Sequence, residues 1–360
     1  MIINIIKYIC SNNTIREHVY YLQQYMKNVK NIEYIYRGKY ESRILQIEDE
    51  NKKITTPTYF PSISSAATRL HLLPLIQLCV EKNYPRLLVS AYDLHQTKND
   101  KKTILAALER YVKTNFLFID SGTFESYWLN DPKWKYSKYA NMIHRISGDF
   151  YTSFDEIPNP HDDLKIIFTK VSDYFKKSEK LSNTSHCSIV AHGNSPAQLI
   201  QVVEGLAKNN QSLSMISVPE RDCGKTLQDK INTIQKLRKI LSENSPTNML
   251  HILGCGNPLS IAMFSYAGAD SFDSVDWSRW SIDPKTLQFM DLNHLELINC
   301  TCDICKRKKL DPTSRALLHN LLFYQEFTHK IQMSIIQNQG LDFLRQFIDR
   351  KSFSKIVKFF

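Results

Sequence analysis

Eight short runs rich in β-branched and aromatic residues recur between helix-length stretches over residues 58–276. They are TYFPSIS (58–64), RLLVSAY (86–92), FLFIDSG (116–122), FYTSFDE (150–156), SIVAHG (188–193), LSMISVP (213–219), MLHILGCG (249–256) and SFDSVD (271–276). Strands that alternate with helices pair in parallel, because each crossover carries the chain back to the same edge of the sheet. One intervening stretch, SPAQLIQVVEGLAKN, opens with a Ser-Pro pair suited to a helix N-terminus. Eight such units predict an α/β fold of the (β/α)8 TIM-barrel type, with an open doubly wound sheet as the competing topology.

Around the barrel, the sequence divides into four regions. Residues 1–40 are polar and aromatic and predict a helical or irregular N-terminal extension. The barrel then occupies 41–296, a small metal-binding subdomain 297–335, and a helical tail 336–360. With 360 residues, 42% of them hydrophobic and 23% charged, the chain can bury a substantial core. Nothing in it approaches the ~20 consecutive apolar residues of a membrane span. The apolar start MIINIIKYIC lacks the basic lead and cleavage site of a signal peptide.

The formal net charge is +10, which favours a polyanionic partner, since each Lys or Arg set on a phosphate releases condensed counterions. A composition rich in Lys, Asn and Ile is the competing source of that charge. Of eight cysteines, Cys10, Cys79, Cys187, Cys223 and Cys255 stand alone. That is no secreted disulfide framework; it fits a reducing, cytoplasmic compartment.

The ends of the runs carry the chemistry. Asp120, Asp155, His192 and Asp273 lie at or near the C-terminal ends of four separate runs, with Gly193, Gly254 and Gly256 beside such ends. Active sites of (β/α)8 enzymes collect at that face. Polar residues also end strands because chains turn there, but four on separate strands form a constellation. Paired carboxylates suit displacement at an anomeric carbon through a covalent sugar–enzyme intermediate. The attacking group must be ionised, which an Asp of ordinary pKa ~3.9 achieves at neutral pH. A second carboxylate can move protons, and a third can accept hydrogen bonds from the N–H edge of a base. A barrel metallohydrolase is the rival reading, but the first run carries no His-x-His pair. CGKT at 223–226 is no P-loop, because Pro219 stands where the first glycine would be.

Cys300, Cys302 and Cys305 form C-x-C-x2-C, and three thiolates with one imidazole complete a closed tetrahedral zinc site. His319 is the preferred fourth ligand and His329 the weaker one. Such a clip fastens an appendage too small to hold itself. The adjacent Lys306, Arg307, Lys308 and Lys309 either rest on phosphates or form a solvated face.

Together these motifs resemble the tRNA-guanine transglycosylase family, in order, from about Thr56 to Ile335. TPTYFPSIS and LLVSAYDL resemble its first two barrel strands, DSGTFES its Asp-Ser-Gly-Gly-Tyr/Phe-Gln motif, and SFDE its Phe-Asp-Glu. LGCGNP and GADSFDSV match two further signatures, and the cysteines with HNLLFY match the zinc subdomain.

The resemblance implies exchange of guanine in a nucleic acid for a 7-deazaguanine base. In that scheme Asp273 is the nucleophile on the ribose anomeric carbon and Asp120 the general acid/base. Asp155 binds the edge of the guanine or 7-deazaguanine, Phe124 stacks on it, and Ser121 and His192 belong to the same subsite. Ser217 and Val218 offer backbone contacts, Leu253 packs beside the base, and Arg279 holds the nucleic acid. The resemblance further implies structural Zn2+ on Cys300, Cys302, Cys305 and His319, a homodimer, and tRNA as the polymer. DNA carrying 7-deazaguanine and a non-catalytic nucleic-acid-binding paralogue are the alternatives. Thr123 replaces a family glycine, and Glu125 and His192 each replace a family glutamine. ISVPE stands for a Gly-Gly-Leu segment, and the second arginine after Arg279 is missing.

Overall fold

In the computed structural model, residues 31–49, 52–65, 70–183, 185–210, 213–307 and 309–360 are described. Asn31–Arg37 (β1), Arg43–Asp49 (β2) and Lys52–Thr55 (β3) form an antiparallel three-stranded sheet. Most of the expected extension, residues 1–30, lies outside the described residues, but its last part is a strand rather than helical or irregular. NIEYIYR pairs with RILQIED from Asn31↔Glu48 to Arg37↔Arg43, with a register shift between Tyr34 and Tyr36, and this partner is not revealed by the segment itself.

All eight predicted runs are strands: Thr58–Ile63 (β4), Arg86–Ser90 (β5), Phe116–Asp120 (β6), Phe150–Thr152 (β7), His186–Val190 (β8), Met215–Pro219 (β9), Met249–Leu253 (β10) and Ser271–Ser274 (β11). Each pairs in parallel with its neighbour, and β11 returns to β4 while β9 joins β10. The result is a closed eight-stranded barrel with helices between the strands. The helix expected over SPAQLIQVVEGLAKN runs from Pro196 to Asn209, capped by the Ser195 side chain.

Alternation along the strands decides what enters the site. In β6, Phe116 and Phe118 join the interior cluster, whereas Leu117 and Ile119 belong to the core under the helices. Phe60, Phe118 and Phe150 meet inside the barrel at ring separations of 5.7, 5.7 and 6.4 Å, and His251 lies 5.1 Å from Phe118. This aromatic layer fills the barrel below the mouth. Ile32, Leu45, Ile47 and Ile54 of the small sheet join the same cluster and cover the opposite end.

Beyond the barrel, Trp280–Ile282 (β12) pairs with Phe289–Asp291 (β13), and the helix Pro312–Ile336 runs back along β4. Its Tyr324 stacks on Tyr59 at 3.8 Å and donates to the Gly256 carbonyl at 2.6 Å. Gln332 donates to the carbonyls of Thr55 and Pro57 at 2.9 and 3.0 Å. Two short helices, Gly340–Arg345 and Arg350–Ile356, follow. Among the described residues, no helix is long and apolar enough to cross a membrane.

Asp270 sits just before β11, at the end of that strand opposite Asp273. Its two oxygens accept from Arg43 Nε and Nη2 at 2.7 Å each, and Oδ2 also takes Arg238 Nη1 at 2.9 Å and the Leu250 N–H at 2.7 Å. All three side chains are buried. Burial, reinforced by the Arg43 charge, pushes the Arg238 guanidinium down to about 9. Removing the shared anion leaves two buried cations uncompensated, a loss of about 3–5 kcal/mol. Asp270→Asn is therefore expected to lower the unfolding free energy by that amount, read as a lower urea midpoint at an unaltered denaturant slope; an unchanged midpoint would contradict this role.

Candidate active site

A cavity of ≈ 390 Å³ opens at the C-terminal mouth of the barrel. Asp120 from β6, Asp155 beyond β7, His192 beyond β8, Leu253 from β10 and Asp273 from β11 all line it. Ser121, Phe124 and Arg279 line it as well, so ten of the expected positions reduce to two exceptions. Ser217 points inward one layer lower, where its hydroxyl meets that of Ser188 at 2.6 Å, and Val218 faces the helices. Neither lines the cavity; Pro219 and Glu220 do.

Asp273 is buried and held from below. Oδ2 accepts from Ser62 Oγ at 2.5 Å, and Oδ1 accepts from the Gly254 N–H at 3.0 Å. His251 Nε2 approaches Oδ1 at 3.2 Å, while its Nδ1 meets Ser271 Oγ at 2.8 Å. Gly254 takes a φ of +74°, a left-handed conformation that suits glycine and turns its N–H toward the carboxylate.

Asp120 has poorer company. Gly122 N–H donates to Oδ2 at 3.0 Å, and Thr152 Oγ1 reaches Oδ1 only at 3.4 Å. Burial, with the Asp155 charge added, pushes its carboxyl up to about 7. Glu125 lies nearby, accepting from Ser90 Oγ at 2.9 Å; burial and then the charges of Asp93 and Asp120 push it up to about 8. A neutral Glu125 offers an O–H donor and a carbonyl acceptor, the same pair of functions that a glutamine amide presents.

Asp155 is the centre of a chain of contacts. Ser121 Oγ donates to its Oδ1 at 2.6 Å, and His192 Nε2 meets its Oδ2 at 2.8 Å. The other ring nitrogen, Nδ1, meets Asp222 Oδ2 at 3.0 Å. Burial opposes a charged imidazole, but the hydrogen bonds to Asp155 and Asp222 outweigh it and push His192 up to about 9. Sequence reading passed over Asp222, which lies three residues beyond β9 and obeys the same strand-end rule as its partners. It also passed over His251, at an inward position in β10.

The rim is basic and aromatic. Arg221, Lys230 and Arg279 line the opening. Phe124 is 41% exposed, and its ring meets Trp128, 62% exposed, edge-on at 6.1 Å. Tyr127 continues this face at 5.8 Å from Trp128. Exposed rings beside cations are suited to nucleobases and phosphates.

Outside the barrel, Cys300, Cys302, Cys305 and His319 bring four ligand atoms within 4.8 Å of one another. The three sulfurs lie 3.7, 3.6 and 3.4 Å from His319 Nδ1. A tetrahedral ion with S and N ligands at ~2.3 and ~2.0 Å has S···N edges of about 3.5 Å, so this donor set fits such a centre. His319 Nε2 donates to the Ile282 carbonyl at 2.8 Å, which fixes the tautomer that leaves Nδ1 free to ligate. His329 is not in the group. Among the described residues this is the one cluster of metal-ligating atoms, and the mouth aspartates form none.

A family model described as queuine tRNA-ribosyltransferase matches residues 39–352. The tRNA-guanine(15) transglycosylase of Archaeoglobus fulgidus is 23% identical over 329 residues, covering 82% of this chain and 64% of its own. That of Sulfolobus acidocaldarius is 21% identical over 323 residues, with 84% and 64% covered. A queuine tRNA-ribosyltransferase of Francisella tularensis subsp. mediasiatica is 24% identical over 192 residues, 44% of this chain and 52% of its own. The chain thus spans slightly less than two thirds of the length of the first two relatives. With the model covering most of its length, the chain belongs to the queuine tRNA-ribosyltransferase family.

Proposed function

We propose that the protein exchanges guanine in a nucleic acid, tRNA first, for a 7-deazaguanine base through a covalent aspartyl-ribose intermediate. The observation that carries this reading is the convergence of Asp120, Asp155 and Asp273 from three strands on one cavity with Phe124 at its rim. Asp273, held by Ser62 and Gly254, forms the bond to C1′ as the bond from C1′ to the guanine nitrogen breaks. Asp120 gives a proton to the departing base and takes one from the incoming base, after which the same bonds form in reverse. Asp155 accepts from the N–H edge of the base, Phe124 stacks on its face, and Leu253 packs beside it. Arg279 neutralises a phosphate. Ser217 and Val218, whose side chains leave the cavity, would meet the base only through their backbone. The names of the relatives support tRNA as the polymer; the missing arginine after Arg279 favours DNA as the second reading.

In this scheme Cys300, Cys302, Cys305 and His319 hold Zn2+, which when bound supplies a cross-link and no chemistry. The residues then position the segment that precedes them.

Incubation with radiolabelled guanine and, separately, tRNA or double-stranded DNA should place label in one polymer. Asp273→Asn should abolish both label and covalent adduct, and full uptake by that variant would overturn the assignment. Asp120→Asn should slow exchange by about 10²–10⁴-fold.

A carboxyl raised to about 7 is protonated below that pH. Single-turnover adduct formation, which needs the acid form, should therefore fall as pH rises through about 7; a flat profile would exclude Asp120 as the proton donor.

Purified protein should carry one zinc per chain. Cys302→Ser should lose the ion and several degrees of thermal stability, whereas Asp273→Asn should lose neither.

A further inference from the structure

We propose that Asp222 is a positioning residue for base recognition, acting through His192 to fix the orientation and hydrogen-bonding state of Asp155. The inference rests on the base-exchange reading above and adds to it a residue outside the expected set. Its foundation is a count of hydrogens. The two ring nitrogens of His192 face carboxylate oxygens, at 3.0 Å from Asp222 and 2.8 Å from Asp155. An ionised carboxylate only accepts, so both nitrogens carry hydrogen and the ring is a cation clamped at both ends. Rotating the ring would replace an N–H with a C–H at both contacts.

The clamp shapes what Asp155 offers to a ligand. Two carboxylate oxygens provide about four acceptor positions. Ser121 occupies one on Oδ1 and His192 one on Oδ2, so each oxygen keeps one free. Two adjacent free acceptors match the neighbouring ring N–H and exocyclic amine of a guanine-type base. A glutamine, which the family places at the His192 position, is neutral at every pH; here the acceptor pair depends on a cation, and Asp222 sustains it.

Other charged groups face the ring from several elements. Asp155 lies beyond β7, and Glu220, Arg221 and Asp222 lie in the turn after β9. Arg221 Nε stands 3.4 Å from Asp222, and Lys230 is held 2.8 Å from Glu220. Asp120 contributes through its interaction with Asp155. With His192 pushed up to about 9, the clamp is intact below that pH and is lost as pH rises through it. Without Asp222 the loss begins lower.

The test uses the full chain and free guanine as the probe. The His192 imidazole is titrated by NMR with ring-labelled histidine, its signal assigned by absence from His192→Gln, and guanine Kd is measured across the same pH range. Asp222→Asn, nearly isosteric, should lower the His192 titration by at least one pH unit and weaken guanine about tenfold at pH 8. Turnover at saturating base should change less than about threefold, as for lost uniform binding. Asp222→Glu should restore both the titration and the affinity. In His192→Gln the pH dependence should reduce to that of the base itself.

Unaltered His192 titration or unaltered guanine affinity in Asp222→Asn overturns the proposal. A wild-type protein that shows the clamp and binds guanine, yet labels neither tRNA nor DNA, overturns base exchange instead.

Discussion

A carboxylate removed from water survives only with hydrogen bonds or a countercharge, and the mouth of this barrel buries several at once. The donors are shared unequally. Asp273 receives Ser62 and Gly254, and Asp155 receives Ser121 and the His192 cation. Asp120 is left with backbone N–H groups and a distant hydroxyl, beside the charge of Asp155. Its carboxyl is pushed up to about 7. Chemically identical side chains thus meet different surroundings, a division that the proposed exchange would use to separate proton transfer from attack and binding.

Backbone geometry serves the same division. Gly122 and Gly254 both have positive φ, +81° and +74°, and their N–H groups point at Asp120 and Asp273 respectively. A Cβ on Gly122 would stand 2.3 Å from that of Tyr92, so the turn after β6 admits no side chain. Asp270 shows the contrast at the far end of β11. There two guanidiniums and a backbone N–H saturate the carboxylate, and the group holds the barrel together.

The barrel was legible because its signals are local: apolar runs rich in β-branched and aromatic residues, helix caps and polar residues at strand ends lie within a few residues of each other. Pairings across long separations were not. Arg43 meets Asp270 across 227 positions, and His192 meets Asp222 across 30, so neither pair leaves a pattern in either segment. β1 escaped for the same reason, since its partner strand makes it a strand. Glu125 was visible as a departure from the family glutamine, but its neutrality follows from burial, which only the folded chain defines. The alternation of β9 sends the Ser217 side chain below the cavity and that of Val218 toward the helices, so only their backbone could meet a base, as the resemblance implied.

The cysteine cluster bears on the mouth through the helix that carries its histidine. His319 donates to the Ile282 carbonyl, and the next residue, Asn320, donates to the carbonyls of Trp277 and Trp280 at 2.7 and 2.5 Å. Asn320 Oδ1 also accepts from the Ile282 N–H at 3.1 Å. Two consecutive side chains therefore grip the segment 277–282, which leaves β11 just after Asp273 and carries Arg279 into the cavity wall. Trp277 Nε1 in turn donates to the carbonyl of Ser62, the residue whose hydroxyl holds Asp273. The Cys300, Cys302, Cys305 and His319 cluster is thereby tied, through the helix turn that carries His319 and Asn320, to the strap that bears Arg279 and the donor to Ser62.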